Sequence, residues 1–530
     1  MNTSRSLAVL FLLFLAACDS ADNAADISAD SSADKVQEPI LSAAKIHWFD
    51  GSVEQGFEFA KAENKPVYLY WGAVWCPPCQ EIKNTVFKSK QFITQTEPFV
   101  PIYLDGDMDH AQTWGDKFGV KGYPTMIVFN PDGEEVTRIP GGIELSRYNS
   151  VLALSLAQMR PTTMLVDLAI NNPDKLQPSD FVQLAYYSWG QDSNSLPEGA
   201  PATLFSDLSD KSSDEEASAR LYMEYLVALS RELEPNDSEL TLDREAGIST
   251  GAFERVAAIL DSPKLTLACW DSLAYYAEEI AALTVFSDEE LVKLRGKWQA
   301  QLVAMRHQPS LSTAEQVAGW LPLLTFHFME NGEAPLEDSI ITDLKDDLTR
   351  ADEKESNSFA RQSVVNRINH IYQSARLYDE AHALLLAELD RSESPYYFMS
   401  SLSSLAEEQE KTAEAVEWSR KAYEASTGAA TRFQWGASYI KTIIRLAPEN
   451  NDLIVKTSID LFAELKDGQS VFSGRNFRVL RSLSRQLSEW QDGKLEDTLI
   501  ETFHARVQSM CEKQAPATME LTNCRSLLSS

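Results

Sequence analysis

The chain has 530 residues, of which 44% are hydrophobic, and its 79 acidic residues outnumber its 47 basic ones to give a formal net charge of −32. Because a single hydrophobic core rarely grows beyond about 250–300 residues, this length predicts more than one domain. The acidic excess argues against nucleic-acid binding and against docking of a polybasic segment on anionic lipid.

Residues 1–18 have the pattern of an export signal. Arg5 supplies a positive charge, and the apolar run that follows it is too short to span a bilayer. The residues Leu15-Ala16-Ala17-Cys18 resemble the lipobox of bacterial lipoproteins, which implies that Cys18 is lipidated and becomes the mature N-terminus. The alternative is an ordinary signal peptide with an incidental cysteine. Asp19 resembles the inner-membrane retention signal of enterobacterial lipoproteins, so we expect a lipid anchor on the periplasmic face of a bacterial membrane, with the inner membrane favoured over the outer.

Residues 19–44 are rich in Ala, Ser and Asp and contain no aromatic residue. Such a segment cannot bury enough apolar surface to offset the entropy of ordering. We therefore expect a flexible acidic tether, with an r.m.s. reach of roughly 25–30 Å.

Residues 45–159 alternate between strand-like and helix-like patterns. Short apolar runs predict strands at 46–49, 66–70, 99–104 and 126–129. Helical spacing predicts a first helix with Val53, Phe57, Phe59 and Ala60 on one face and a last helix over Glu144–Met159. The tetrapeptide Asn130-Pro131-Asp132-Gly133 predicts a tight turn between strands. The alternation predicts an α/β domain.

The second strand leads into Trp75-Cys76-Pro77-Pro78-Cys79. Helical spacing begins after this motif, so Cys76 should lie at a helix N-terminus with both prolines in the first turn. The helix dipole and free amides there stabilise a thiolate, which makes Cys76 the nucleophile and Cys79 the resolving thiol. A zinc site is the alternative, but zinc needs four ligands and there is no second pair of closely spaced Cys or His residues.

The CxxC motif together with Gly122-Tyr123-Pro124-Thr125 resembles the thioredoxin superfamily. The stretch from Cys79 to Phe92 is most similar to the periplasmic thioredoxin-like domain of transmembrane disulfide reductases. The resemblance covers about residues 45–158. It implies a cis-proline at Pro124 beside Cys76, with Trp75, Tyr123 and Pro124 forming the substrate-binding surface.

One position departs from the family pattern. Thioredoxins usually carry a buried acid six residues before the first cysteine, where it assists proton transfer from the resolving thiol, and here that position is Tyr70. Glu81 is a candidate substitute, and the alternative is that Glu81 is simply a solvated helix residue.

No metal or cofactor is predicted. Acids alternate in the loop that begins at Asp105, but the sixth place of a calcium loop needs Gly and here holds His110. The seven histidines are scattered along the chain without metal-ligand spacing.

Residues 160–530 follow a helical period throughout. Two segments, centred on Ala381 and Ala415, repeat with a spacing of 34 residues, which is the tetratricopeptide period. The clearest tetratricopeptide-like units cover about 362–428, although the usual closing proline is absent after both. We expect an irregular helical-repeat region with a groove suited to protein binding.

The other cysteines predict structural roles. Cys269 lies on an apolar helix face, which favours a buried inert thiol. Cys511 and Cys524 flank a break at Pro516 and could form a disulfide in an oxidising compartment.

Two functions from different classes fit this sequence. The first is a membrane-anchored, exported thiol–disulfide oxidoreductase, favoured as a reductase of protein disulfides, whose helical region recruits partners. Its electrons would come from a transmembrane disulfide reductase. The second is a non-enzymatic interaction lipoprotein that uses the thioredoxin-like domain only for docking. The presence of both Cys76 and Cys79 favours the enzyme, because a docking domain needs neither thiol. The redox direction stays open between reductase, isomerase and oxidase.

Overall fold

A computed structural model describes residues 45–528 except 109, 142, 193–194, 197–200, 234–250, 286, 466–469 and 492–497. The predicted signal segment, Cys18 and the tether therefore lie outside the described residues. Within the described residues, none of the helices combines the length and the apolar character needed to cross a bilayer.

A four-stranded mixed sheet forms the centre of the N-terminal domain. Its strands are β1 (Val67–Gly72), β2 (Val100–Asp105), β3 (Thr125–Phe129) and β4 (Glu135–Ile139), in the order β2-β1-β3-β4. Strand β1 pairs in parallel with β2 and antiparallel with β3, and β3 pairs antiparallel with β4. The helices of this domain are α1 (Val53–Ala62), α2 (Pro77–Asn84), α3 (Lys90–Thr96), α4 (Ala111–Lys117) and α5 (Leu145–Gln158).

The central strand β1 is buried on both faces. Leu69 and Trp71 belong to a core with α1 and α4, whereas Tyr68 and Tyr70 belong to a core on the opposite face of the sheet. Side chains alternate across a strand, so burial on both sides accounts for the continuous apolar run rather than an alternating one.

Two details of the predicted elements are wrong. Residues 46–49 form no strand; Phe49 donates one backbone hydrogen bond to the carbonyl of Pro101 at 2.7 Å. Pro101 has no N–H to return a second bond, so a ladder cannot form there. Phe59 is 43% exposed, while Val53 and Ala60 on the same helix are buried.

From Thr162 onward the described chain is helical. Its first helices are α6 (Thr162–Asn171), α7 (Pro178–Ala185), α8 (Pro201–Lys211), α9 (Glu215–Glu232), α10 (Ala252–Asp261), α11 (Pro263–Ala268), α12 (Trp270–Tyr275), α13 (Ala277–Thr284), α14 (Asp288–Met305), α15 (Thr313–Ala318) and α16 (Trp320–Asn331). They are followed by α17 (Asp338–Lys354), α18 (Ser358–Ser374), α19 (Tyr378–Leu389), α20 (Pro395–Glu408), α21 (Thr412–Ala425), α22 (Ala429–Leu446), α23 (Asn451–Glu464), α24 (Gly474–Gln491), α25 (Thr498–Cys511) and α26 (Met519–Ser526). The fold class is therefore the predicted one, an α/β thioredoxin-like domain followed by a large all-helical region.

Two turns of the helical region, 34 residues apart, have similar backbone geometry. The turns before α19 and α21 each contain a residue in the left-handed region, Arg376 with φ 60° and Glu410 with φ 58°. Ala381 and Ala415 are both fully buried, as close helix packing requires. The two helix pairs α18–α19 and α20–α21 thus share one turn geometry.

The helical region packs directly on the N-terminal domain. One hydrophobic core contains Tyr68 and Leu152 from the α/β part and Leu165, Trp270 and Ala422 from the helices, so it runs across the boundary predicted at 159–160. Thr162 donates its hydroxyl to the carbonyl of Val136 at 2.8 Å.

The buried side chain of Arg138 in β4 crosses the same boundary. Its guanidinium donates to the carbonyls of Phe118 and Gln191, both at 2.7 Å, and forms an ion pair with Glu135. The sheet edge is therefore completed by atoms of the helical region.

Candidate functional site

The two cysteines of the motif lie at the first turn of α2. Cys76 is the N-cap residue, and Pro77 and Pro78 occupy the next two positions. The structure holds Cys76 and Cys79 in a disulfide, with a Cα–Cα distance of 5.2 Å. The Cys79 N–H also donates to Cys76 Sγ at 3.3 Å. Because the prolines have no N–H, this amide is the first donor of the helix, and it points at the predicted nucleophile.

The two sulfurs differ in access. Cys79 is fully buried, whereas Cys76 is 3% exposed and lines a cleft of about 720 Å³ between α2, the Gly122–Tyr123 loop and helices α20, α22 and α24. Four aromatic side chains line this cleft: Trp75, Tyr123, Tyr397 and Trp435. A disulfide of another molecule would therefore reach Cys76 before Cys79.

Residues of the helical region fix Trp75 in place. Its indole N–H donates to Thr431 Oγ1 at 2.8 Å, and its carbonyl accepts from the side chain of Gln362. Its ring stacks on Tyr397 and meets Trp435 edge-on, with centroid distances of 6.2 and 6.0 Å. Trp75 lines the cleft, but it is only 8% exposed and belongs as much to the interface as to a docking surface.

Asp107 connects the loop after β2 to the start of α22. Its carboxylate accepts from Thr431 N–H at 2.7 Å and from the Thr431 hydroxyl at 2.5 Å. Burial raises the pKa of Asp107, and these hydrogen bonds act in the opposite direction. A Cβ on Gly428, where φ is +90°, would lie 2.4 Å from the Asp107 carboxyl carbon, so this contact requires glycine. Asp107, one of the alternating acids in the loop that begins at Asp105, thus caps the N-terminus of α22.

The predicted proline lies behind the cleft. The Tyr123–Pro124 peptide bond is cis, as the resemblance implies. Pro124 is buried, and its neighbours Gly122 and Tyr123 line the cleft. The Tyr123 hydroxyl accepts from the side chain of Gln112 at 3.1 Å, and its ring packs on Trp71. Gly122 and Tyr123 line the cleft, and Pro124 is not among its lining residues.

Glu81 is not a solvated helix residue. It accepts a hydrogen bond from Ser312, and its carboxylate lies in the field of Arg367. Burial raises the pKa of Glu81. Glu315, which accepts from the Tyr275 hydroxyl at 2.7 Å and pairs with Arg367 at 3.4 Å, belongs to the same group. Glu81 thus joins α2 to the helical region.

Two glutamates make the stability of the fold depend on pH. Burial raises the pKa of Glu224 and of Glu315 to about 7, from 4.5. The folded state then keeps protons that the unfolded chain has released, so stability falls as pH rises from about 4.5 to 7. We expect a higher thermal unfolding midpoint at pH 5.5 than at pH 8.

The variant Glu224→Gln isolates one of these groups. It should remove on the order of 1–2 kcal/mol of the pH dependence of the free energy of unfolding, because the neutral amide cannot ionise. Glu58→Gln, at an exposed position of α1, is the matched control and should leave the dependence unchanged. An unaltered dependence in Glu224→Gln would contradict the assignment.

The other cysteines that the structure describes, Cys269, Cys511 and Cys524, do not line the cleft. Cys269 is a fully buried free thiol, as its apolar neighbours predict, and burial raises its pKa to about 12. A thiol with that pKa is inert at neutral pH. Cys511 and Cys524 form a disulfide between α25 and α26 with a Cα–Cα distance of 5.7 Å.

Comparison with known proteins agrees with this geometry. Residues 53–154 match a family described as a thioredoxin-like domain. This part of the chain is a thioredoxin-like domain. It is similar to nucleoredoxin of Bos taurus, with 27% identity over 107 residues, covering 16% of this chain and 25% of that protein. It is also similar to the thiol:disulfide interchange protein DsbD of Yersinia pestis (strain Pestoides F), with 30% identity over 93 residues, covering 17% of this chain and 16% of that protein.

These two matches cover 16% and 17% of this chain. The matched stretch spans a quarter or less of these relatives. Several residues around Cys76 lie in the helical region and were missed by sequence reasoning: Gln362, Tyr397, Thr431, Trp435, Lys441, Arg475 and Arg478. They lie hundreds of residues from the motif, and no local pattern marks them.

Proposed function

We propose that the protein is an exported, membrane-anchored thiol–disulfide oxidoreductase that reduces disulfides in protein substrates. The observation that carries this proposal is the Cys76–Cys79 pair at the start of α2, with Cys76 on the wall of a cleft. The similarity of the thioredoxin-like domain to a thiol:disulfide interchange protein supports it.

The reaction is a pair of thiol–disulfide exchanges. The Cys76 thiolate attacks one sulfur of the substrate disulfide, forms a mixed disulfide and releases the other sulfur as a thiolate, which takes up a proton. The Cys79 thiol loses its proton and attacks Cys76 Sγ, which releases the second substrate thiol and forms the Cys76–Cys79 disulfide. Two electrons pass from the protein to the substrate. A dithiol donor must then reduce the pair again, and we propose a transmembrane disulfide reductase for this role.

The first turn of α2 supports reduction over strong oxidation. Helix N-terminal amides stabilise the thiolate and hence the reduced form. Here the Cys79 N–H is the first such donor, since Pro77 and Pro78 provide none. With fewer donors the reduced form gains less stabilisation, which makes the pair a better reductant.

The helical region is proposed to recruit the substrate. Helices α20, α22 and α24 form one wall of the cleft that Cys76 lines, so a substrate bound there can contact them. The pairs α18–α19 and α20–α21 repeat with the tetratricopeptide period, and we propose that they serve as the protein-binding units.

Lipidation at Cys18 is proposed to hold the protein on the periplasmic face of the inner membrane. The predicted tether would leave the folded part free to turn near the membrane surface. In cells, Cys18→Ala should lose labelled fatty acid and leave the membrane fraction. Membrane retention equal to that of wild type would rule out this anchor.

Turnover of a peptide disulfide tests the proposed activity. The reduced protein should cleave it, and Cys76→Ala should lower the rate on the order of 10³-fold or more, because the nucleophile is lost. Cys269→Ala is the matched control, since that thiol is buried and inert, and it should retain the activity. Absence of turnover in wild type would favour a docking role for this domain.

A further inference from the structure

We propose that the cleft at Cys76 selects disulfides flanked by carboxylates, and that Lys121, Lys441, Arg475 and Arg478 are its specificity-determining residues. This inference rests on the proposed function and names the substrate class of the same site. The occupant we infer is an acidic segment of a polypeptide that carries the disulfide.

The charge of the cleft is opposite to that of the chain. Among the described residues that line it, four are cationic and none is acidic. In the whole chain, acidic residues outnumber basic ones by 79 to 47. Four cations around one nucleophile in so acidic a protein create a local field that attracts anions.

Arg475 is the most buried of the four. Its guanidinium lies 5.3 Å from the ring centre of Trp75, the residue before Cys76, and 5.6 Å from that of Tyr123. Its backbone N–H donates to the Gln112 side chain at 3.0 Å, which fixes the residue in place. Burial lowers the pKa of Arg475, so its charge is poorly solvated in the absence of a ligand. An incoming carboxylate would compensate for this lost hydration.

Lys441 and Arg478 extend the positive surface along the helical wall. Lys441 donates to Ser482 Oγ at 3.0 Å, and burial lowers its pKa. Arg478 donates to the carbonyls of Val120 and Lys121 at 3.3 Å and lies in the field of Asp116. Lys121 lies next to Gly122, in the loop of the thioredoxin-like domain that lines the cleft. In the part of the chain that the structure describes, none of these four cations forms an ion pair.

Two acids whose charges act on the cleft residue Tyr123 are already engaged. Asp107 is held by Thr431 at the start of α22, and Asp105 accepts from the Tyr103 hydroxyl at 3.1 Å. Neither lines the cleft. Their charges therefore do not occupy the positions that a ligand carboxylate would take.

The rest of the wall suits a peptide. Trp75, Tyr123, Tyr397 and Trp435 line the cleft with aromatic rings, and Gly122 lines it beside Tyr123. A volume of about 720 Å³ exceeds the need of an inorganic anion. Small disulfides with carboxylates share this chemistry, so the experiment must separate them from polypeptides.

Single-turnover kinetics with matched peptides tests the proposal. The reduced full-length protein is mixed with cyclic peptide disulfides of equal length whose flanking residues are Asp/Glu, Ser or Lys. Glutathione disulfide serves as the small disulfide that carries carboxylates. We expect the Asp/Glu peptide to react about tenfold faster than the Ser peptide at low salt, and the Lys peptide more slowly than both, because steering by clustered charge typically changes rates by 10–10³. The advantage should shrink as ionic strength rises.

Variants locate the effect. Arg475→Gln and the double variant Lys441→Gln/Arg478→Gln should each slow the Asp/Glu peptide several-fold more than the Ser peptide. Lys61→Gln, at an exposed position of the same thioredoxin-like domain, is the matched control and should keep the full preference. Equal rates for the Asp/Glu and Ser peptides in wild type would overturn the proposal. Preference for glutathione disulfide over the Asp/Glu peptide would overturn the polypeptide as occupant.

A binding measurement separates this inference from the proposed function. A linear Asp/Glu peptide without cysteine should quench the tryptophan fluorescence of the oxidised protein at lower concentration than its Ser counterpart, and Arg475→Gln should abolish the difference. If no disulfide peptide reacts but this preference is present, the redox function fails and the acidic-ligand site stands. If the disulfide peptides react without any charge preference, the function stands and this inference fails.

Discussion

Replacing Cys79 by Ala should convert the protein into a trap that retains its substrates as mixed disulfides. Cys76 would still lie at the N-terminus of α2 and on the wall of the cleft, so the first exchange can proceed. The second exchange needs a thiol beside Cys76, and in the disulfide the two Cα atoms are only 5.2 Å apart. A resolving thiol held this close acts at high effective concentration, so its loss should lengthen the lifetime of the mixed disulfide by about two orders of magnitude or more.

Trapping in cells followed by non-reducing electrophoresis measures this effect. Cys79→Ala should show discrete high-mass species that vanish on reduction, and Cys76→Ala should show none. Adding Cys76→Ala to Cys79→Ala should remove the species altogether, which controls for disulfides formed through other cysteines. If Cys76→Ala accumulates the adducts instead, the nucleophile and the resolving thiol have been assigned in the wrong order.

The geometry of the motif was predictable because it is local in sequence. A CxxC pair with proline in the first turn after an apolar run defines a strand, a helix start and a cysteine at the N-cap within 14 residues. The fold class followed from the same kind of signal, the change from short apolar runs to a helical period after residue 160. In both cases the determining residues are neighbours in the chain.

The surroundings of the site were not predictable because they depend on pairs far apart in sequence. Thr431 lies 356 residues after Trp75, Gln362 lies 287 residues after it, and Ser312 lies 231 residues after Glu81. The sequence around Glu81 shows only its own helix, on which a charged residue normally faces solvent, so its burial against the helical region could not be predicted. Because these contacts cannot be inferred from local patterns, the sequence predicted the helical region as a separate array. No sequence pattern indicated that its helices line the cleft.

A chain that ends at Met159 should fail to form a stable thioredoxin-like domain. Removing residues 160–530 would take Leu165, Leu184 and Trp270 out of the core that contains Tyr68 and Leu152. Each fully buried side chain of this size contributes about 1.5–3 kcal/mol, and whole proteins are stable by only about 5–15 kcal/mol. Without the helices, side chains of the remainder such as Tyr68 and Leu152 would lose part of their cover, and exposing several such side chains is enough to unfold it.

Polar contacts across the boundary add to this effect. The carbonyl of Val136 would lose hydrogen bonds from Thr162 at 2.8 Å and Gln183 at 2.5 Å. Arg138, 1% exposed, would lose the carbonyl of Gln191, and Asp107 would lose Thr431. Buried polar groups left without partners cost about 1–3 kcal/mol each unless water reaches them.

Circular dichroism and limited proteolysis of residues 45–159 and 45–530 measure the outcome. We expect residues 45–530 to unfold cooperatively and residues 45–159 to lack a cooperative transition. The shorter segment should also be cleaved at least about tenfold faster, since proteolysis tracks the population of unfolded molecules. Co-expression of 45–159 with 160–530 as a separate chain is the matched control. The two parts should associate and regain the protection, because every contact except the linking peptide is restored. An isolated 45–159 segment with the unfolding midpoint of 45–530 would show that the thioredoxin-like domain does not need the helices around it.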